Sequence, residues 1–337
     1  MSTPCTTTCD APPQAGRTVS KGAAPAFIRL ASLGVARASG KDARSFLHGQ
    51  FTNRLDPLGG RAPLAGYCTP KGRLLSIFRV FESEGDLHLI VPKSIAPGFI
   101  KRLSMFVLRA DVKFQCALGT ASLLGAVGPD AETALSAALS AHDKKLPQVD
   151  HAVSVPGLTV MRVADAATVD GFTTEAHRYL VYTTEADRFA PDEDEGAWWA
   201  TEIAAGLPTL TPETLDRFVP QSVNLELVDG VVFNKGCYPG QEVVSRIQHI
   251  GTPSRRMHLG LADGTALPRA GDGVYAEKGG AYSLSGDTVS AVGNGEKTLF
   301  LFSLPVADAE KPLALDAAGE RKVTILPLPY EFRNVLH

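Results

Sequence analysis

Long apolar runs are missing from this 337-residue chain. None reaches the roughly 18 residues that a membrane-crossing helix needs, which excludes a helical membrane protein. Cysteine is sparse, five residues in all. That odd, small set argues against a secreted disulfide scaffold and for a reducing compartment. No charge sign dominates either. Thirty-three Lys and Arg stand against 36 Asp and Glu, a formal net charge of −3, so nothing global drives the chain onto nucleic acid or an anionic membrane. The eight histidines are scattered, with no HExxH and no paired Cys, and no metal site is expected. Gly34 to Lys41 resembles a phosphate loop but has one intervening residue too many, and Asp42 stands where Ser or Thr would hold magnesium. Gly293-Asn294-Gly295 lacks the third glycine and following helix of a dinucleotide site, and no Gly-x-Ser-x-Gly elbow is present. What is there, 44% hydrophobic and 20% charged residues, reads as a cytoplasmic globular chain long enough for two or three compact units.

Residues 1–25 are rich in Thr, Pro, Ala and Gly without apolar periodicity, and are expected to form a disordered tail. Cys5 and Cys9 lie in it without a nearby His and read as loose thiols. Residues 26–250 carry mixed helix and strand patterns. Phe27 through Val35 reads as one strand, Ala43 to Phe51 as a helix, Leu64–Cys68 and Leu74–Phe81 as strands around a Thr-Pro-Lys-Gly turn, and Val112–Leu118 as a strand containing Cys116. Further helices are predicted over Ala96–Arg109, Asp130–Leu139 and Trp198–Ala205. From 251 to 337, short apolar runs alternate with Gly, Asp and Pro clusters, the pattern of a small β-barrel. The fold class is therefore α+β with an all-β C-terminal module.

Lys235-Gly-Cys-Tyr-Pro-Gly-Gln-Glu242 concentrates functional groups in eight residues. Pro239-Gly240 favours a tight turn, and Gln241 onward starts a helix with Glu242 in its first turn. Cys237, just before that helix and two residues from Lys235, sits where positive potential favours a thiolate. Lys235 is its candidate activator, and Cys237 is expected to be more accessible than Cys116.

This segment resembles the signature of the YgfZ family of folate-binding proteins, relatives of the glycine-cleavage aminomethyltransferase (T-protein). Four other elements resemble the family in the same order: Phe46-Leu47-His48-Gly49-Gln50-Phe51-Thr52-Asn53, Cys68 to Arg73, Ile203 to Pro208, and Phe218-Val219-Pro220-Gln221 with Asn224-Leu225. The resemblance implies two interleaved α+β parts around a central pocket, followed by a C-terminal β-barrel. It implies tetrahydrofolate or a derivative as cofactor, held by Asn53, Gln221, Asn224, Tyr238, Gln241, Glu242 and Arg246. It also implies a role in assembling or maintaining iron–sulfur enzymes, including tRNA-modifying ones, with those enzymes or cluster-assembly proteins as partners and tRNA touched at most indirectly.

The sequence departs from the T-protein pattern twice. Leu75 and Ser76 stand where the aminomethyltransferases carry an Asp pair, so the catalytic carboxylate of a folate-dependent transferase is absent. Ala204 replaces the glutamate that relatives use toward the pterin, which leaves Glu202 or another group to supply an acceptor. Three functional classes follow: an accessory factor for iron–sulfur enzymes, a one-carbon transferase disfavoured by the missing acid, and a thiol redox or tRNA-binding adaptor. The third would use Cys237 with Arg246, Arg255 and Arg256 near phosphates.

Overall fold

The structure, a computed structural model, describes residues 18–19, 25–116, 121–250 and 253–333. Most of the segment expected to form a tail, including Cys5 and Cys9, lies outside the described residues. Thr18 and Val19 are described, and they run beside Gly293, with the Val19 N–H donating to the Gly293 carbonyl at 2.7 Å.

Two five-stranded antiparallel sheets and a barrel account for the strands. One sheet contains β2 (Leu33–Ser39), β3 (Leu64–Cys68), β4 (Leu74–Ser83), β5 (Asp86–Pro92) and β6 (Lys113–Cys116), in the spatial order β3-β4-β5-β2-β6. The other contains β1 (Phe27–Arg29), β7 (Ser122–Val127), β8 (Ala152–Val155), β9 (Leu158–Ala166) and β10 (Ala176–Thr183), in the order β1-β7-β10-β9-β8. The first strand of the chain thus pairs with β7 in the second sheet, and the two halves interleave. This corrects the single strand expected over Phe27 to Val35. The apolar run breaks at Leu30-Ala31-Ser32 and serves two sheets, a division that alternating hydrophobicity cannot register because both parts bury the same residue types.

The C-terminal part is a closed six-stranded barrel. It is built from β11 (Arg255–Asp263), β12 (Gly273–Lys278), β13 (Ala281–Gly293), β14 (Lys297–Pro305), β15 (Leu313–Ala314) and β16 (Lys322–Leu326). Closure leaves no free sheet edge. The longest strand, β13, has no counterpart in the apolar pattern, because its first half is exposed and rich in Ser and Gly. Its register comes from β12 and β14 on either side.

Helices cover the sheets where a stripe of apolar residues allows it. Helix α1 (Ala43–His48) buries Ala43 and Leu47, and α2 (Ala96–Met105) buries Phe99 and Leu103, both pairs one turn apart. They cover one face of the first sheet around Phe51, Tyr67 and Phe78. Helix α3 (Gly128–Ser140) covers the outer face of the second sheet through Ala131, Leu135 and Leu139. Helix α4 (Gly196–Ala204) is buried nearly all round. Its Trp198 and Trp199 pack between the two sheets, whereas Ala200, Ile203 and Ala204 join the core under the barrel. Helix α5 (Gln241–Ile250) leads into β11.

One close approach fixes α4. The Trp198 ring lies on Gly125 of β7, and a Cβ there would come within 2.3 Å of Trp198 Cε3. Gly125→Val is expected to lower stability by about 1–3 kcal/mol through overpacking. Chemical denaturation that finds the variant as stable as the parent would refute this packing.

Candidate functional site

Two segments 180 residues apart are stitched into one substructure. The Thr52 hydroxyl donates to the Gly230 carbonyl at 2.6 Å and accepts the Gly66 N–H at 2.7 Å. The Asn53 amide donates to the Leu64 and Asp229 carbonyls at 2.7 and 2.5 Å, while its oxygen accepts the Arg54 N–H at 2.7 Å. The Lys235 ammonium then reaches the chain just past α1. Its Nζ donates to the carbonyls of His48, Phe51 and Asn53 at 2.5, 2.6 and 3.0 Å, and it lies 5.3 Å from the Tyr238 ring centroid. Burial and the neighbouring Arg54 push the Lys235 pKa down to about 8, so the ammonium remains the main form at neutral pH. All three of its protons are directed at backbone oxygens, which makes Lys235 the anchor of the loop.

The loop's other side is fixed by two turns in contact. Gly240 (φ +83°) and Gly72 (φ +73°) occupy the left-handed region. A Cβ on Gly240 would come within 2.4 Å of the Thr69 carbonyl and 2.7 Å of Gly72 Cα. The Lys-Gly turn at 69–73 and the Pro-Gly turn at 239–240 therefore meet backbone to backbone. Tyr238 is buried, its hydroxyl has no partner, and burial, with the nearby Cys68, pushes its pKa up. Gln241 Nε2 reaches back to the Lys235 carbonyl at 3.5 Å. Between these fixed points, Cys237 is exposed.

Several of the folate ligands expected from the sequence are engaged within the protein. Gln221 is buried and donates to the Val244 carbonyl at 2.8 Å. Asn224, at φ +57°, mimics a strand: its amide donates to the Met257 carbonyl at 2.8 Å and its oxygen accepts the Met257 N–H at 3.1 Å. The amide donors of Asn53, Gln221 and Asn224 are bonded to main chain, as a buried amide requires. Glu242 and Arg246 pair with each other at 3.1 Å on the exposed side of α5, a contact of small energetic weight. Arg255 and Arg256 are both engaged by protein carboxylates. Arg256 is buried against Glu226, and Arg255 bonds Asp287 and the Ser285 and Ser303 carbonyls.

A shallow cleft opens between the two sheets. Its polar groups include Arg79 and Glu202; its apolar walls include Trp198, Trp199, Phe78 and Leu207. Glu202 comes from α4, held from beneath by the fully buried Arg178, whose guanidinium also stacks 4.6 Å from the Trp198 ring centroid. Arg79 bonds the Ala62 carbonyl at 2.5 Å and Asp150 at 2.6 Å. Ala204 points into the core under the barrel. The acceptor that α4 presents to the cleft is therefore Glu202. The sequence offered a signal for Arg79 and Arg178, each a lone cation inside an otherwise apolar strand. A buried charge needs a partner, and partners mark sites. At the position of the missing Asp pair, Leu75 packs into the core and the buried Ser76 hydroxyl has no partner.

Three thiols are described, and they differ in access. Cys68 is buried and its pKa is pushed up to about 12, whereas Cys237 and Cys116 are both exposed. The protected comparison thiol is thus Cys68, since β6 is an edge strand that leaves Cys116 open. Brief alkylation of the folded protein is expected to label Cys237 and Cys116 and to spare Cys68 until denaturant is added. Mass mapping that finds Cys237 as protected as Cys68 would contradict the exposed loop.

No family model matches the chain. A protein of Edwardsiella ictaluri named tRNA-modifying protein YgfZ is 28% identical over 305 residues, covering 87% of this chain and 88% of its own. Its namesake in Yersinia enterocolitica is 28% identical over 317 residues, covering 90% and 92%. Among solved structures, the glycine cleavage system aminomethyltransferase T of Bartonella henselae superposes with a TM-score of 0.66 at 17% identity, over 89% of this chain and 84% of that one. With the interleaved sheets, the barrel and the 235–242 loop in place, the chain has a T-protein-like fold and is similar along most of its length to proteins named YgfZ.

Proposed function

We propose that this protein acts in tRNA modification as a folate-associated accessory factor for iron–sulfur enzymes, with Cys237 as its working group. The observation that carries the reading is the exposed Cys237 thiol on a loop fixed at both ends, by Lys235 on one side and by the Gly72–Gly240 contact on the other. A loop anchored this firmly holds its thiol outward rather than packing it. Thiolates are the usual protein ligands of iron–sulfur clusters. A single thiol cannot hold a cluster, so the remaining ligands belong to the client enzyme, and the cluster is cargo rather than a resident group. The relatives' name, tRNA-modifying protein, supports the coarser role.

The cleft offers reduced folate a carboxylate acceptor beside apolar walls. A pterin presents amino and ring N–H donors, and Glu202 offers a carboxylate fixed by Arg178. Trp198, Trp199 and Phe78 supply flat apolar walls, and Arg79 supplies a donor. Bound there, the folate would contribute its capacity to carry a one-carbon unit. A one-carbon transferase reading loses its support at Leu75 and Ser76, because neither side chain can act as a carboxylate.

Two measurements test the reading. Tetrahydrofolate is expected to bind with a Kd on the order of micromolar or weaker, and Glu202→Gln to weaken it about tenfold by removing the charged acceptor. Calorimetry showing no heat at millimolar tetrahydrofolate, with no thermal shift, would remove folate from the function. In cells lacking the gene, Cys237→Ser is expected to fold normally and to fail in restoring iron–sulfur enzyme activity and methylthiolated tRNA bases, since a hydroxyl is a poor soft-metal ligand. Full rescue by that variant would eliminate the thiol role.

A further inference from the structure

The C-terminal end of α2 and the strand after it carry a surface that the fold does not explain. Met105, Phe106 and Leu108 are 60%, 48% and 88% exposed, three large apolar side chains within four residues. Exposed apolar residues are ordinary one at a time, whereas a cluster marks a contact surface. Immediately beyond it, β6 forms the outer edge of the first sheet, with Lys113, Gln115 and Cys116 all exposed. An edge strand turns every second N–H and C=O outward, ready to pair with another chain.

Charge accompanies this edge. Lys101, Arg109 and Lys113 are exposed in the same stretch. Lys41 is exposed on the neighbouring turn, which is tied to Asp111 by the Asp42 N–H at 3.2 Å and by the Asp111 N–H to Asp42 Oδ2 at 2.8 Å. Asp111 is the exposed carboxylate opposing them. The local excess is positive, on a chain whose net charge is −3.

The geometry points to this shelf as the docking surface for an extended protein segment, acidic and apolar in alternation, that adds a strand beside β6. The edge, unpaired among the described residues, supplies main-chain pairing and the exposed side chains supply the selection, as in strand-addition recognition. An acidic residue on the incoming strand would meet Lys113 or Arg109, and its apolar residues would cover Leu108, Phe106 and Met105. A polyanion such as RNA would satisfy the cations but leave those three side chains against phosphates. The protein segment is the occupant that uses all the features together. The assignment does not depend on the function proposed above.

The test uses the full chain and two fluorescent peptides of about eight residues, the length of an ordinary strand. One alternates Val with Glu; its counterpart alternates Val with Lys. The Val–Glu peptide is expected to bind and to slow amide exchange across 113–116, while the Val–Lys peptide does not bind. Leu108→Glu, which alters an exposed side chain and should leave the melting temperature unchanged, weakens binding about tenfold or more, as does Lys113→Glu. Equal binding of the two peptides, no binding at millimolar concentration, or indifference to Leu108→Glu would overturn the proposal. So would retention of unfractionated tRNA or anionic phospholipid vesicles that Leu108→Glu abolishes in the absence of peptide binding, since the shelf would then serve a different class of partner.

Discussion

The Lys235 ammonium, shared among three main-chain carbonyls at the end of α1, is the interaction on which the site's geometry depends. Those carbonyls have few other donors available at a helix end. Supplying them from a residue 182 or more positions away in sequence ties the first sheet to the loop that precedes α5. Thr52 and Asn53 repeat the connection with Gly230 and Asp229. Cys237 is held outward as a consequence, two residues beyond the anchor.

The cleft depends on a different constraint. Helix α4 must satisfy two cores at once, with its tryptophans between the sheets and its small residues under the barrel. A helix buried on most sides has little room for a charge, and Glu202 is tolerated because Arg178 compensates it from beneath. Burial penalises the Arg178 cation and Glu202 restores it. The pair is therefore mutually obligatory, and it leaves a fixed carboxylate facing the space between the sheets. The anchored thiol and the cleft are thus produced by separate devices within one fold.

Much of the architecture was legible because its elements follow simple periods. The strand Leu64–Cys68 matches its apolar run, and the helices α3 to α5 lie where helical spacing and turn residues place them, whereas α2 stops at Met105, four residues before the end expected at Arg109. Elements without such a signal escaped: β8 is short, β13 is half exposed and polar, and the break between β1 and β2 lies inside one apolar run. In the site, the 235–242 motif was visible as a dense cluster of functional groups. The meaning of its lysine was not, because a side chain's acceptors can be main-chain carbonyls, which carry no sequence signature.

The sequence by itself determined the residue types available: one thiol in a glycine-flanked turn, no carboxylate at Leu75 or Ser76, and a glutamate at 202 instead of 204. It also determined that residues from Arg255 onward form strands rather than α-helices, since Gly, Pro and Asp interrupt the apolar runs before a helix could propagate. Only the tertiary structure decided which polar groups remained free. The amide donors of Asn53, Gln221 and Asn224 look like ligand contacts in sequence, yet folding directs them to main-chain carbonyls, because an unpaired buried donor is costly. Arg79 and Glu202 line the same cleft because strand pairing and helix packing bring β4 and α4 together around it.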